Sequence, residues 1–130
     1  MSNNKVGIVS GGATLIGQKV ALALHDDGCK IVICDINVED GEAFVKELGD
    51  DAIFVKADIT SDEDIDNCIA QAISTFGGVD YLVNLAATYL DNGFESTREE
   101  WQSALNTNVI SGAMFTEKIA PHMQSRGGGA

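Results

Sequence analysis

Four short apolar runs recur along the chain at intervals of about 25 residues, and this repeat restricts the fold more than any other feature. The runs cover residues 6–9, 31–34, 53–55 and 79–83. They are rich in β-branched residues and nearly continuous, as is typical of strands that are buried on both faces of a sheet. Helical patterns separate them, and strands that alternate with helices pair in parallel through right-handed crossovers. The sequence therefore predicts an α/β fold built on a parallel sheet.

The starts and ends of the helices are marked by local signals. The first helix is predicted to place Ile16 on its inward face, and the second covers about residues 38–48 and ends at Gly49. Thr60-x-x-Glu63 and Thr97-x-x-Glu100 each match a capping box, in which a hydroxyl and a carboxylate bond backbone N–H groups of the first turn. The second box follows a loop over residues 87–95. It precedes a long helix over about residues 101–126, with a break expected near Asn106.

A glycine-rich turn connects the first strand to the first helix. It is the segment Ser10-Gly11-Gly12-Ala13-Thr14-Leu15-Ile16-Gly17. Small residues let the main chain approach a pyrophosphate, and the helix start at Ile16 and Gly17 offers unpaired N–H groups and a positive dipole end. Asp35 then ends the second strand, 18 residues after Gly17, close to the roughly 20 expected for an acid that binds the adenosine ribose. This order of elements predicts a dinucleotide site.

Length, charge and cysteine content narrow the class of protein. The chain has 130 residues, which indicates one domain over residues 1–130. Its formal net charge of −12 argues against binding to nucleic acid or to anionic membrane surfaces. No apolar run approaches the roughly 18 residues of a membrane span, and the start MSNNK has no signal-peptide core. Cys29, Cys34 and Cys68 have no metal-ligand spacing, so we expect no metal and a reducing, cytoplasmic location.

Taken in order, these features resemble the short-chain dehydrogenase/reductase family over the whole chain. The turn at residues 10–17 is similar to the family's Thr-Gly-x-x-x-Gly-x-Gly, with Leu15 in place of the middle glycine. Asp35 matches the acid that binds the adenosine ribose, and Asp58 in KADIT matches the carboxylate that accepts from the adenine amino group. Asn84-Leu85-Ala86-Ala87 matches the Asn-Asn-Ala-Gly segment. Asn108 in LNTNV looks like the asparagine of the catalytic tetrad, which holds a water of the proton relay.

The resemblance implies a Rossmann-like, doubly wound parallel sheet of strand order 3-2-1-4, ending before a fifth strand. It also implies an NAD-dependent oxidoreductase that transfers hydride to or from a small alcohol or carbonyl substrate, and a homo-oligomer (dimer or tetramer). The implied catalytic residue is Asn108. The implied cofactor-binding residues are Ser10, Gly11, Gly12, Thr14, Leu15, Ile16, Gly17, Asp35, Ile36, Asp58, Ile59, Asn84, Ala86 and Ala87.

The charges near Asp35 favour NAD(H) over NADP(H). Two ribose hydroxyls that donate to an ionised carboxylate form charge-assisted bonds of about 1.5–3 kcal/mol each. A 2′-phosphate would instead bring like charge onto Asp35, and an NADP site normally supplies an arginine or lysine to neutralise it. Neither the turn residues 12–14 nor Ile36 and Asn37 provide one.

The family's remaining catalytic groups have no counterpart among these residues. The family places a serine on its fifth strand and a Tyr-x-x-x-Lys on the next helix. Tyr81 and Tyr89 are followed four residues later by Leu85 and Gly93, not by lysine. We therefore expect the chain to carry the cofactor-binding half, to be inactive alone, and to expose its fourth strand as an edge that promotes self-association.

Several alternatives remain open on the sequence. Asp58 could be a turn or cap residue, Asn84 a buried amide that joins neighbouring strands, and Asn108 a partner of the backbone. The chain could also be a non-catalytic NAD-binding or interaction module. An S-adenosylmethionine-dependent methyltransferase fits less well, because residues 11–17 lack Gly-x-Gly-x-Gly. A P-loop NTPase is disfavoured because Gln18 and Lys19 follow the last glycine where Lys-Ser/Thr is required.

Overall fold

The computed structural model describes residues 4–89 and 92–130, and the predicted alternation of strands and helices is present there. Residues 90 and 91 of the predicted loop lie outside the described residues, as do residues 1–3 of the predicted domain. The principal elements are β1 (Val6–Ser10), α1 (Leu15–Asp26), β2 (Lys30–Asp35), α2 (Val38–Leu48), β3 (Ala52–Lys56), α3 (Asp62–Phe76), β4 (Tyr81–Asn84), α4 (Arg98–Leu105) and α5 (Ser111–Ser125). Short 3₁₀ turns at Gly49–Asp51 and Gly93–Glu95 precede β3 and α4.

The four strands form one parallel sheet in the order β3-β2-β1-β4, which confirms the predicted order. β1 lies inside the sheet, between β2 and β4, and all five of its residues are buried. Successive side chains of a strand point to opposite faces. Ile8 accordingly packs with Phe115 and other residues of α3 and α5, whereas Val9 packs with Ala21 of α1 and Phe44 of α2. Helices thus cover both faces, as a doubly wound fold requires.

α1 differs from its predicted orientation. Ile16 was expected to face inward, but its side chain is 67% exposed and the buried residues of α1 are Gly17 and Ala21. The reason is close packing, since a Cβ at position 17 would lie 2.1 Å from the Gly11 carbonyl oxygen. The helix also begins at Leu15 rather than at Ile16, with Thr14 as its N-cap.

The two predicted capping boxes have different outcomes. The box at Thr97 and Glu100 is confirmed, with each side chain accepting from the other residue's backbone N–H, at 3.2 and 2.8 Å. The box predicted at Thr60 is wrong, because Ser61 caps α3 by accepting from Asp64 N–H at 3.2 Å. The Thr60 hydroxyl instead donates to Asp58 at 2.6 Å.

The long C-terminal helix is interrupted where the sequence predicts a break. A π-turn at Asn106–Ile110 separates α4 from α5, and the Ser111 hydroxyl donates to the Asn106 carbonyl across it at 2.7 Å. The helix begins at Arg98, earlier than predicted, and α5 continues past Pro121 to Ser125. No helix in the described ranges is long and apolar enough to cross a membrane.

The chain returns from the end of α5 to the outer edge of β4. Leu82 N–H donates to the Ala130 carbonyl at 2.9 Å, and Ala130 N–H donates to the Asp80 carbonyl at 3.0 Å. The expectation of a fully open β4 edge is therefore wrong at these two positions. The three glycines that follow Arg126 carry the backbone from α5 to this edge.

Candidate functional site

A cleft of about 550 Å³ opens at the carboxyl ends of the strands, where ligands bind in open α/β sheets. Segments following all four strands contribute to it, together with α4 and the π-turn. The residues that line it are Gly11, Thr14, Cys34, Asp35, Ile36, Ala57, Asp58, Ile59, Thr60, Ala86, Ala87, Thr88, Ser103 and Thr107.

The cleft brings together many, but not all, of the predicted cofactor-binding residues. Those that line it are Gly11, Thr14, Asp35, Ile36, Asp58, Ile59, Ala86 and Ala87. Those that lie outside its lining are Ser10, Gly12, Leu15, Ile16, Gly17 and Asn84, and so does Asn108.

Asp35 is held in a fixed orientation at the end of β2. Only 9% of its surface is exposed. Oδ2 accepts from Ala13 N–H at 3.0 Å, and Oδ1 accepts from Asn37 N–H at 2.9 Å. Each carboxylate oxygen has lone pairs left for a further donor. The carboxylate is thus oriented before any ligand binds, in a form suited to accept from hydroxyl groups.

The glycine-rich turn gives the backbone close access to the cleft. Gly11 has φ +68°, and a Cβ there would lie 2.7 Å from the backbone nitrogen of Ala86. Thr14 Oγ1 donates to the Gly11 carbonyl at 2.7 Å and accepts from Gly17 N–H at 3.1 Å. This brings the positive N-terminus of α1 to the cleft wall, where Thr14 and Gly11 lie. Among the described residues, Leu15 N–H and Ile16 N–H in the first turn of α1 make no internal hydrogen bond, and these two groups are the donors that a pyrophosphate could bind.

Ser10 and Gly12 lie outside the cleft lining and hold the turn against neighbouring strands. The Ser10 hydroxyl donates to the Val83 carbonyl at 3.3 Å and accepts from the N–H groups of Leu85 and Ala86 at 3.2 and 3.3 Å. It therefore joins the end of β1 to the segment that follows β4. A Cβ at Gly12 would lie 2.9 Å from the Ile33 side chain, so Gly12 packs against the sheet.

Asp58 both lines the cleft and closes a turn. Its Oδ1 accepts from Thr60 N–H at 2.9 Å and from the Thr60 hydroxyl at 2.6 Å, and its own N–H donates to Asp64 at 2.8 Å. Asp58 is therefore a turn residue, as one alternative proposed, through its Oδ1 atom. Because it also lines the cleft, the turn role does not exclude a role in binding.

Of the alternatives considered for the two asparagines, the structure contradicts the one for Asn84 and agrees with the one for Asn108. Asn84 is exposed rather than buried, because its amide reaches outward from β4 to α5 and donates to the Thr116 hydroxyl at 3.3 Å. The alternative of a buried amide between strands is therefore wrong. Asn108 binds the backbone of Thr88, accepting from its N–H at 2.8 Å and donating to its carbonyl at 2.9 Å. Since Thr88 lines the cleft, Asn108 fixes part of its wall.

Sequence reasoning missed the wall that α4 and the π-turn supply. Ser103 and Thr107 line the cleft but were not predicted. Two hydroxyl residues four positions apart share one face of a helix, and that spacing was the available signal. Thr60, Thr88, Cys34 and Ala57 were missed as well.

The lining residues carry two carboxylates, Asp35 and Asp58, and none of the described residues that line the cleft is a lysine or an arginine. A ligand group beside Asp35 must therefore donate hydrogen bonds rather than bring negative charge. Cys34 does not add a nucleophile, because a hydrogen bond with Cys68 and burial both raise the pKa of its thiol.

Comparison with known proteins gives one consistent family. A sequence model of the family described as short chain dehydrogenase matches residues 5–130. An uncharacterized oxidoreductase of Thermotoga maritima is 35% identical over 99% of this chain and 52% of its own length. An uncharacterized oxidoreductase of Staphylococcus aureus strain MRSA252 is 32% identical over 90% of this chain and 51% of its own length. The chain spans about half the length of these relatives.

Solved structures agree with the sequence comparison. A 3-ketoacyl-(acyl-carrier-protein) reductase from Brucella melitensis, complexed with NADH, is 30% identical with a TM-score of 0.87, over 98% of this chain and 53% of the other. A short-chain dehydrogenase/reductase described as glucose/ribitol dehydrogenase, also from Brucella melitensis, is 27% identical with a TM-score of 0.88, over 93% and 52%. Both likenesses extend over nearly the whole of this chain.

Proposed function

Because the chain belongs to the short-chain dehydrogenase family, we propose that it forms a single domain that binds NAD(H) in an oxidoreductase acting on a small alcohol or carbonyl compound. The bound nicotinamide supplies or accepts the hydride. The chain's own residues bind and orient the dinucleotide. The 130 residues are proposed to be inactive alone, since the family's Ser and Tyr-x-x-x-Lys have no counterpart in them.

One observation carries the choice of cofactor. The Asp35 carboxylate is fixed by two backbone N–H groups in a cleft whose described lining has no lysine or arginine. Two ribose hydroxyls would each gain a charge-assisted bond of about 1.5–3 kcal/mol there. A 2′-phosphate would meet like charge without a counter-ion. One structural neighbour, the 3-ketoacyl-(acyl-carrier-protein) reductase, is complexed with NADH, which supports the same assignment.

The rest of the dinucleotide is assigned by position. We place the pyrophosphate at the N-terminus of α1, beside Gly11 and Thr14, and the adenine beside Asp58 and Ile59. Asn108 keeps its proposed place in the catalytic tetrad. Both polar groups of its side chain bind the Thr88 backbone, so its side chain would contribute by fixing the cleft wall at Thr88.

A binding titration tests the proposal. NADH and NADPH are titrated into the chain and into Asp35→Ala, with binding followed by calorimetry. We expect the parent to prefer NADH, and the substitution to weaken NADH binding by at least about tenfold while NADPH binding changes little or improves, because both charge-assisted bonds of about 1.5–3 kcal/mol each are lost. Asp66→Ala, an exposed aspartate of α3, is the matched control and should leave both affinities unchanged.

Three results would contradict parts of the proposal. Tighter binding of NADPH than NADH by the parent would overturn the cofactor assignment. Binding of S-adenosylmethionine in preference to NADH would favour a methyltransferase. NADH binding without turnover of any alcohol or carbonyl, measured on the longest natural form of the protein, would favour a non-catalytic module.

We also propose self-association and a cytoplasmic location. Trp101, Leu105 and Val109 recur every four residues along α4 and the π-turn, and more than half of each side chain is exposed. Such a stripe supports a homo-oligomeric contact. The three cysteines are free and buried, which supports a reducing compartment.

A further inference from the structure

A buried carboxylate lies at the end of the sheet opposite the cleft, and the proposed function does not use it. Asp80 directly precedes β4, and only 1% of its surface is exposed. It accepts from Arg126 Nε at 3.2 Å, from Arg126 Nη2 at 2.9 Å, from Lys5 Nζ at 3.1 Å and from Val6 N–H at 2.9 Å. We call Asp80, Arg126 and Lys5 the Asp80 cluster.

Arg126 connects this cluster to several parts of the chain. Besides Asp80, its guanidinium donates to the Asn4 carbonyl at 2.9 Å and to the Gly77 carbonyl at 3.4 Å. The same residue follows α5, so one side chain ties together the segment before β1, the end of α3, the start of β4 and the end of α5. The planar guanidinium, with its fixed set of donors, can satisfy several acceptors at once, which a lysine cannot.

Two glycines leave the room that this arrangement needs. A Cβ at Gly78 would lie 2.2 Å from Cδ of Arg126, and a Cβ at Gly129 would lie 2.5 Å from the Asp80 carbonyl oxygen. The backbone of residues 127–130 therefore passes close against Asp80. Immediately beyond, Ala130 exchanges hydrogen bonds with Asp80 and Leu82.

We propose that the Asp80–Arg126 pair is a latch that sets the register in which residues 127–130 lie along the edge of β4. The glycines at 127–129 have no side chains to anchor them, and two of them have φ above +90°. Glycine segments lose more backbone entropy on ordering than others. The N–H groups of Gly127 and Gly128 donate to the Gln124 and Met123 carbonyls, which hold the segment to the end of α5. Arg126 connects that end of α5 to the carboxylate that precedes β4, and so relates the segment to the edge strand.

Removing Arg126 should open the latch without leaving a buried charge unpaired. Asp80 would keep its bonds from Lys5 and from Val6 N–H. The effect should accordingly be local to the edge of β4. A local effect would distinguish a latch from a general contribution to stability. Loss of a general contribution would speed hydrogen exchange at all core amides to a similar extent.

Backbone amide hydrogen exchange of the full 130-residue chain tests the latch. In Arg126→Gln we expect the amides of Leu82 and Ala130 to exchange at least tenfold faster than in the parent, while core amides of β2 such as Ile33 change less than twofold. Lys118→Gln is the matched control, since it removes a cation of α5 that pairs with exposed Asp66. It should leave the Leu82 and Ala130 amides protected.

A second variant keeps the charge and displaces the side chain. Gly78→Ala places a methyl group where Arg126 now lies and should speed exchange at the same two amides, whereas Gly112→Ala, whose Cβ would meet only Asn84 at 3.8 Å, should not. The latch is wrong if Arg126→Gln leaves Leu82 and Ala130 as protected as in the parent, or if all core amides accelerate equally. If Arg126→Gln does not fold, the Gly78→Ala result decides by the same criteria.

Discussion

At the scale of single residues, the contact between Gly17 and Gly11 controls how closely α1 approaches the turn. A Cβ at position 17 would lie 2.1 Å from a backbone oxygen, which cannot rotate away as a side chain could. We expect Gly17→Ala to destabilise the fold by about 1–3 kcal/mol, because overpacking forces backbone shifts. It should also weaken NADH binding.

Urea denaturation measures this effect, with Gly112→Ala in α5 as the control. Alanine there meets only an ordinary contact at 3.8 Å, so we expect no loss and a gain of up to about 1 kcal/mol from helix propensity. A Gly17→Ala variant as stable as the parent would show that the turn relaxes easily.

Asp80 should make the stability of the protein depend on pH in the acid range. Burial raises its pKa, but the hydrogen bonds from Arg126, Val6 and Lys5 outweigh burial and hold the pKa of Asp80 below its ordinary value. A carboxyl whose pKa is lower in the folded state stabilises the fold above its unfolded pKa of about 3.9, and this stabilisation is lost as the pH falls through the folded pKa.

Urea midpoints recorded from about pH 7 to about pH 2 test this expectation, since that span brackets the ordinary aspartate pKa. The parent should lose stability below about pH 4, and Asp80→Asn, although less stable at neutral pH, should lose less on the same acidification. Asp66→Asn, at an exposed pair, should follow the parent. Equal acid sensitivity in Asp80→Asn and the parent would exclude Asp80 as the source.

At the scale of elements, the clamp between Asn108 and Thr88 connects the π-turn to the cleft wall. We expect Asn108→Ala to speed amide exchange at Thr88 and to weaken NADH binding severalfold, because both backbone groups of Thr88 lose a partner. Asn67→Ala, at an exposed site of α3, is the control. Unchanged exchange at Thr88 would mean that the loop is held by its other contacts.

The sequence predicted element type well and local detail less well. The predicted residues 38–48 are those of α2, and the break near Asn106 is the π-turn. The predicted cap of α3 is one residue too early, because Thr60 and Ser61 are both residue types that cap helices. Only the structure shows that the Thr60 hydroxyl donates to Asp58 instead. Ile16 was placed inward because periodicity records apolarity, not how closely a helix approaches its sheet.

At the scale of the whole molecule, the stripe on α4 and the π-turn should determine self-association. We expect sedimentation equilibrium to give a mass above the 13.7 kDa of the monomer and Leu105→Arg to shift the protein towards monomer, because it places charge within an exposed apolar stripe. Leu22→Arg, at an exposed leucine of α1, should leave association unchanged. A parent that sediments as a monomer at all concentrations would contradict the contact.

Some residues of the cleft could be predicted from the sequence, whereas others reach it only through the tertiary path of the chain. Residues that follow strands, such as Asp35 and Asp58, could be placed at one edge of the sheet because parallel strands all end there. Ser103 and Thr107 reach the same cleft only because the chain returns through the loop before α4. The contacts of Ala130 with β4 likewise depend on the path taken by three glycines, whose backbone freedom leaves no pattern in the sequence.

The interior position of β1 has a consequence for biosynthesis. β1 pairs on one side with β2, the next strand in the sequence, and on the other side with β4, the last of the four. Gly7 therefore cannot pair with Tyr81 until the chain has been synthesised as far as β4. On a ribosome that adds about 5–20 residues per second, the first strand emerges several seconds before its second partner. During that interval its unpaired side is a surface for molecular chaperones, and the nascent polypeptide can complete its sheet only after β4 has left the exit tunnel.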